Sequence, residues 1–209
     1  TWQRVVLPGS TWGVVRVYFI STTKGWAATS GGRIFTTQDG GITWTQQYAG
    51  TSFTPTSMQF INATTGWVVG STGTILRTTD GGMNWVSLGT NFNYFESVFF
   101  TDANNGWLTT SSNVFQTTNG GASWIQKQVS GSNFRRIQFV SPNKGFLLNG
   151  TSVSTTEDGG NTWKLSANDL GGMWQSAMFF TDGQTGWIGG PSGILKFVPT
   201  PNPCLSEPL

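Results

Sequence analysis

Residues 34–44 read Ile-Phe-Thr-Thr-Gln-Asp-Gly-Gly-Ile-Thr-Trp, and this stretch decides the fold. Its first four residues favour a β-strand, because β-branched and aromatic side chains suit a pleated surface. The Asp-Gly-Gly that follows predicts a tight turn, since Asp39 can accept hydrogen bonds from N–H groups ahead of it and the glycines supply positive φ. Trp44 then begins another strand with a large apolar surface to bury. The segment is predicted to be a strand, a turn and a strand.

The same segment recurs three more times at intervals of about 40 residues. A fixed period of this length indicates a repeat protein. We interpret the turn residue and the tryptophan of each copy as structural. They are Asp39 and Trp44, Asp80 and Trp85, Asn119 and Trp124, and Asp158 and Trp163.

A second pattern runs in register with the first: a Gly-Trp or Gly-Phe pair, with a phenylalanine six residues before each glycine. The phenylalanine ends a β-rich run, and the polar stretch after it predicts another tight turn. Each unit therefore contains four antiparallel strands, which is typical of one blade of a β-propeller. The pairs begin at Gly25, Gly66, Gly106, Gly145 and Gly186.

Five such units predict an all-β fold, a five-bladed β-propeller of four-stranded antiparallel blades. The fifth unit runs into prolines with no Gly-Gly turn, so its fourth strand is missing. Residues 1–7 match the Thr-Trp ends of complete units, and we expect them to complete the last blade and close the ring. The alternative is a fragment of a larger propeller. The predicted propeller is a single domain, 1–198, with blades at about 13–48, 55–88, 95–128, 134–166 and 175–198 plus 1–7, followed by a Pro-rich tail or linker at 199–209.

The stretch Thr-Gln-Asp-Gly-Gly-Ile-Thr-Trp ending at Trp44, with its copies, resembles the Asp-box of bacterial neuraminidase repeats. The wider unit, with its phenylalanine and Gly-Trp pair, is similar to the photosystem II stability/assembly-factor propellers. The resemblance covers residues 1–198 and implies the fold. It does not imply an activity, because Asp-boxes stabilise outer hairpins of blades in proteins of many functions.

Catalysis is poorly served by this composition, which has no histidine and only nine carboxylates. Three of the carboxylates belong to the Asp-box turns, and the arginines lack the surrounding motif that sialidases use to bind a substrate carboxylate. No metal-binding spacing of Cys and His, no P-loop and no dinucleotide fingerprint occurs, so we expect no enzyme activity, no metal and no cofactor. The one cysteine, Cys204, lies in the tail and forms no intrachain disulfide.

The net charge of +2 is spread along the chain without a Lys/Arg run, so neither nucleic acid nor an anionic membrane surface is an expected partner. No apolar run approaches the roughly 20 residues of a membrane span, and membrane insertion is not expected. We expect an extracytoplasmic protein, secreted, periplasmic or lumenal, whose leader is not visible in this sequence.

The remaining candidates for binding lie where the innermost strands begin, at the mouth of the predicted ring. Aromatic side chains there either stack on a ligand or pack between blades, and both readings stay open. Arg16 and Arg136 occupy equivalent positions in the first strands of their units. Their side chains either face the central channel, or are solvated or paired with Glu96. The candidate ligand-binding or partner-binding residues are Trp12, Arg16, Phe53, Tyr94, Glu96, Phe134, Arg135, Arg136 and Trp174.

These observations favour a non-catalytic protein-recognition or scaffolding propeller, an assembly or accessory component of an exported or envelope complex. A protein is the favoured partner. The alternative is a glycan-binding, lectin-like propeller, and a glycoside hydrolase ranks third.

Overall fold

The structure is a computed structural model that describes residues 1–9, 11–50, 53–89, 92–167, 170, 175–191 and 193–198. Within these residues the chain forms five antiparallel β-sheets and no α-helix. The sheets follow one another along the chain and pack as the blades of a propeller. The prediction of an all-β, five-bladed propeller is confirmed.

The first four blades have four strands each, in chain order, and the fifth has three. The first blade contains β1 (Val14–Phe19), β2 (Gly25–Thr29), β3 (Ile34–Thr37) and β4 (Thr45–Tyr48). The second contains β5 (Pro55–Phe60), β6 (Gly66–Gly70), β7 (Ile75–Thr78) and β8 (Val86–Ser87). The third contains β9 (Ser97–Phe100), β10 (Gly106–Thr109), β11 (Val114–Thr117) and β12 (Ile125–Lys127). The fourth contains β13 (Phe134–Phe139), β14 (Gly145–Asn149), β15 (Ser152–Thr156) and β16 (Lys164–Ala167), and the fifth β17 (Ala177–Phe180), β18 (Gly186–Gly190) and β19 (Gly193–Lys196).

The repeated phenylalanine and the glycine six residues later face each other across the first hairpin of every blade. In the first blade Phe19 pairs with Gly25, and a Cβ on Gly25 would lie 2.6 Å from the Phe19 ring. The same overlap occurs in the other four blades. Only glycine lets the ring lie flat over the neighbouring strand. The repeated glycine is therefore a packing requirement of the blade.

The hydrophobic core lies mainly between blades. Four clusters of buried side chains each combine residues of two successive blades, from the first and second to the fourth and fifth. The second strand of most blades is buried along its whole length, because it has a neighbouring blade on each face. Stability of this fold thus depends on the junctions between repeats.

Closure of the ring by the N-terminal segment, which the sequence predicted, is not shown by the structure. Residues 1–9 contain no strand, and β19 is the last strand of its sheet. Leu7 instead packs on Ala27 and Phe35 of the first blade. Burial of these side chains favours that position, because they would otherwise face water. Among the described residues no hydrophobic cluster joins the first and fifth blades.

Candidate functional site

Each Asp-box turn is closed by its own side chains. In the first, Asp39 Oδ1 accepts hydrogen bonds from the Thr43 N–H at 2.9 Å and the Thr37 hydroxyl at 2.8 Å, and Oδ2 accepts one from the Thr43 hydroxyl. Gly40 and Gly41 have φ of 76° and 93°. The hydrogen bonds, that of the Thr43 hydroxyl first, lower the pKa of Asp39 to about 2. Equivalent bonds close the turns at Asp80, Asn119 and Asp158.

The tryptophan of each Asp-box packs within its own blade. It lies edge-on against the repeated phenylalanine, with ring centroids about 6 Å apart. This geometry is favourable for aromatic pairs. The Asp-box residues therefore hold the outer hairpin to the inner strand, and their rings are engaged in that contact. The four tryptophans are Trp44, Trp85, Trp124 and Trp163.

The first strands of successive blades pack on one another, from β1 to β17, and so line the inner side of the propeller. Arg16 extends from β1 to the second blade, where its Nε donates to the Thr56 carbonyl at 2.5 Å. Its Nη1 donates to the carbonyl of Val15, where a β-bulge interrupts the pairing of β1 with β2. Bulges of this kind re-aim side chains, and here the bulge precedes the arginine.

Arg136 occupies the equivalent position in the fourth blade, again after a bulge. Its Nη1 donates to the carbonyls of Glu96 and Arg135. Burial lowers the pKa of Arg136, and the positive charge of Arg16 lowers it further. The first and fourth blades are not neighbours, so this repulsion acts across the axis. Both arginines stand on the first strand of their blade, the strand nearest the axis.

Glu96 supplies the carboxylate of this cluster. Its Oε1 lies 3.0 Å from Arg135 Nη1, and its side chain is largely buried. The structure thus brings together four of the residues proposed from the sequence, Arg16, Glu96, Arg135 and Arg136. Three cations face one anion in this axial cluster, and the excess of positive charge favours an anionic ligand.

The predicted ring of exposed aromatic side chains is only partly present. Phe53 and Phe134 are buried between blades, which agrees with the packing alternative for these two aromatic residues. Trp12 is half exposed and lies on Gly31, and Tyr94 is similarly exposed and bridges to Ser71. Trp174 lies outside the described residues.

Two glutamines that the sequence analysis did not single out connect blades. The Gln59 side chain donates from Nε2 to the Phe100 carbonyl at 3.0 Å and accepts from the Phe100 N–H at 2.6 Å. Gln138 makes the same pair of bonds with Phe180, at 2.7 and 2.9 Å. Both glutamines stand directly before the repeated phenylalanine of their blade. That shared position is the signal that could have revealed them.

The other carboxylates of the described residues are engaged as well. Asp102 and Asp182 accept backbone N–H bonds in the first turn of their blades, and Glu157 pairs with Lys144 at 2.8 Å. In the part of the chain that the structure describes, no three His, Cys, Asp or Glu side chains form a group that could hold a metal ion. Nor is any helix of those residues long and apolar enough to span a membrane.

The first 94 residues match the family model of the photosynthesis system II assembly factor YCF48. The matched part of the chain is similar to the repeats of that family. Among proteins of curated function, no match to this chain was found.

Solved structures share the fold of this propeller at low sequence identity. YCF48 bound to D1 peptide is 17% identical, with a TM-score of 0.54, and the match covers 94% of this chain and 96% of that one. YCF48 from Cyanidioschyzon merolae is 19% identical, with a TM-score of 0.74 and coverage of 93% and 69%. An ancestral GH74 enzyme is 18% identical, with a TM-score of 0.69, but the match covers 87% of this chain and only 28% of the enzyme. The fold is thus shared by assembly factors and enzymes.

Proposed function

We propose that the chain is a non-catalytic recognition propeller that binds a segment of a partner protein at the axial cluster of Arg16, Glu96, Arg135 and Arg136. The observation that carries the proposal is the excess of positive charge among the described residues of this cluster, in which three arginines accompany one glutamate. It serves as an assembly or accessory component of a larger complex. The partner segment presents carboxylates, and Trp12 and Tyr94 offer it exposed apolar surface.

The energetic argument starts from the repulsion between Arg16 and Arg136. Burial and this repulsion both disfavour the charged form of Arg136 in the free protein. A carboxylate that enters the axial space offsets both costs, because hydrogen bonds between guanidinium and carboxylate groups are strong and directional. Water cannot supply a compensating charge. A carboxylate ligand is therefore favoured over a neutral one.

The solved structure of YCF48 with D1 peptide supports a peptide as the ligand class. That protein shares the fold, and the first 94 residues of this chain match its family. We extend peptide binding to this chain on the strength of the axial arginines. An extracytoplasmic location in an exported or envelope complex is part of the same proposal, and it is supported by the assembly-factor family match alone.

Absence of catalysis is also part of the proposal. A general base needs a titratable group with a free lone pair near the reacting atom. The chain has no histidine, and the described carboxylates are held in turns or ion pairs. Glu96, the one carboxylate in the axial cluster, is paired with Arg135. The site is suited to hold an anion, but its described residues offer no general base for catalysis.

The proposal is tested by fluorescence anisotropy with a labelled D1 peptide and with the same peptide whose carboxylates are amidated. We expect binding of the first peptide, weaker binding at high salt, and loss of affinity on amidation. Arg136→Gln should weaken binding about tenfold or more, because a charge-assisted hydrogen bond contributes roughly 1.5–3 kcal/mol. Lys164→Gln is the matched control, since it removes the same charge from the exposed outer strand of the same blade.

Equal binding of the carboxylate and amidated peptides would contradict the axial site. Binding to an immobilised glycan panel, lost in Trp12→Ala, would instead establish the lectin-like alternative. The half-exposed Trp12 is the residue that a sugar face would stack on in that case.

A further inference from the structure

The fourth blade departs from the first three at one position of its third strand. In the first three blades this position holds a large apolar side chain that is buried: Phe35, Leu76 and Phe115. In the fourth blade it holds Ser154. The positions are equivalent because each of the four residues pairs with the third residue of the second strand, counted from the repeated glycine. One large apolar side chain of the repeat is therefore missing from the fourth blade.

The missing side chain belongs to the junction with the preceding blade. Leu76 is part of the hydrophobic cluster that joins the first and second blades, and Phe115 is part of the cluster that joins the second and third. Among the described residues, the cluster that joins the third and fourth blades includes none from β15. Protein interiors are closely packed, so a serine in place of a leucine or phenylalanine leaves space.

A cavity of about 230 Å³ lies at this junction. The fourth blade forms one wall, with Asn149 of β14, Ser152 and Ser154 of β15, and Trp163. Residues 129–131, which connect β12 to β13, form the opposite wall. The described residues that line the cavity include no charged side chain. The junction thus holds a polar but uncharged cavity where the repeat elsewhere has apolar packing.

The polar side chains of this cavity have hydrogen-bonding capacity to spare. Ser154 is only 4% exposed, and its hydroxyl makes no hydrogen bond with the described residues. Asn149 Oδ1 accepts a hydrogen bond from the Ser152 hydroxyl at 2.9 Å, which leaves the Asn149 Nδ2 group as a donor. Gly131 keeps the space beside that group open, since a Cβ on Gly131 would lie 2.9 Å from Nδ2. Buried polar groups nearly always have a partner, so these groups indicate a polar occupant.

Trp163 adds an aromatic surface to the same cavity. Its ring packs edge-on against Phe139, with ring centroids 5.9 Å apart, and this contact fixes its orientation. The side chain is only partly buried, so part of the ring stays accessible. An indole beside hydroxyl and amide groups suits a ligand that has both an apolar face and a polar edge.

We propose that this cavity binds one neutral sugar ring. The hydroxyl and amide groups of Ser152, Ser154 and Asn149 can both donate and accept hydrogen bonds, as can each hydroxyl of a sugar. A phosphate or carboxylate ligand is disfavoured, because no cation among the described residues offsets the cost of burying its charge. The small volume limits the occupant to a single ring. This site is separate from the axial cluster and adds a second ligand to the function proposed above.

The test is a titration of the isotope-labelled 209-residue chain with D-glucose, D-galactose, D-mannose and N-acetyl-D-glucosamine, followed by NMR. At least one sugar should shift the signals of the Asn149 side-chain amide and the Trp163 indole N–H. The expected Kd is on the order of 1 mM, given the few atoms of a single sugar ring. The corresponding uronic acid should bind more weakly, because its carboxylate has no cation to pair with.

Ser154→Leu gives the sharpest variant, because it restores the side chain that the repeat has at Leu76. It should lower sugar affinity at least tenfold by filling the cavity. The thermal midpoint should stay the same or rise, since an apolar side chain replaces empty space in a junction. Ser166→Leu is the matched control, because it adds the same bulk on the exposed outer strand of the same blade and outside this cavity.

Asn149→Ala is a second variant, which removes the amide without adding bulk. It should weaken sugar binding about tenfold, because one hydrogen bond to the sugar is lost. The labelled D1 peptide should bind Ser154→Leu as tightly as the wild type, and Arg136→Gln should keep the sugar affinity. The axial site and the sugar site can therefore fail independently of each other.

Three results would overturn the proposal. The first is the absence of any signal shift with all four sugars up to about 100 mM, which would assign the cavity to ordered water. The second is unchanged sugar binding in folded Ser154→Leu and in Asn149→Ala. The third is an equal loss of binding in Ser166→Leu, which would place the sugar elsewhere on the fourth blade.

Discussion

The Asp-box turns and the axial cluster show two different uses of the same repeat. At the Asp-box turns, the same hydrogen bonds occur in each complete blade, at Asp39, Asp80, Asn119 and Asp158. At the axis, equivalent positions hold arginine in two blades and serine or alanine in the other three. Residues that repeat make hydrogen bonds within their own blade, whereas Arg16 and Arg136, which break the repeat, bring an excess of positive charge to the axis. We infer that stability depends on the first group and recognition on the second.

The largest effect on stability is expected at a repeated position between blades. Trp67→Ala should lower the free energy of unfolding by about 3–5 kcal/mol, because Trp67 is fully buried and stacks on Phe100. Urea denaturation followed by far-UV circular dichroism measures the change. Trp2→Ala should stay within about 0.5 kcal/mol of the wild type. Equal effects of the two substitutions would refute the role of the stack.

A smaller loss is expected when a glutamine bridge is removed. Gln138→Ala leaves the N–H and carbonyl of Phe180 without their partners and should cost about 1–3 kcal/mol. Hydrogen exchange should locate the loss at the Phe180 amide. Gln46→Ala, on an exposed outer strand, is the control. Unchanged protection at Phe180 would show that the bridge does not hold the fifth blade.

The sequence predicted the features that recur and missed those that depend on how blades are arranged. The Asp-box turns and the blade number could be predicted from the period, because the hydrogen bonds of each turn lie within its own repeat. Phe53 and Phe134 follow the period too, but their burial depends on the neighbouring blade, which the pattern of one repeat does not contain.

The position of residues 1–7 could not be derived for a similar reason. Their likeness to an outer strand is local, whereas pairing with the fifth blade requires the two ends of the blade series to meet. That Arg16 and Arg136 approach each other is only one of the interpretations that the sequence allows, because it depends on the same global arrangement. Sequence spacing places both at one strand position, but the distance across the axis is set by the packing of four blades.

The axial arginines should differ from the repeated residues in their effect on stability. Arg136→Met should change the free energy of unfolding by no more than about 1 kcal/mol. The substitution removes the hydrogen bonds of Arg136, but it also removes a buried charge that Arg16 repels. The same substitution should abolish the binding of the D1 peptide. Urea denaturation and anisotropy on one preparation separate the two effects. A stability loss as large as that of Trp67→Ala would assign Arg136 to the structural group.

The smallest effect is expected at the Asp-box turns, where the stability of the protein should depend on pH. The pKa of Asp158 is about 2 in the folded protein, held there first by the Thr162 hydroxyl, whereas an unfolded aspartate has a pKa near 4. The stability that Asp158 contributes is therefore fully present above about pH 4 and is lost as the pH falls toward 2. The third blade offers a natural control, since Asn119 keeps the turn with the same accepted bonds and donates from Nδ2 to the Ser123 hydroxyl.

Asp158→Asn should therefore keep the fold at pH 6 and reduce the loss of stability between pH 4 and pH 2, as measured by urea midpoints across that range. Some acid sensitivity should remain, because Asp39, Asp80, Asp102 and Asp182 also have lowered pKa values. Asp39→Asn together with Asp158→Asn should reduce it further. If the double variant loses stability with acid as steeply as the wild type, the Asp-box carboxylates hold their turns by hydrogen-bond geometry alone and their charge contributes nothing.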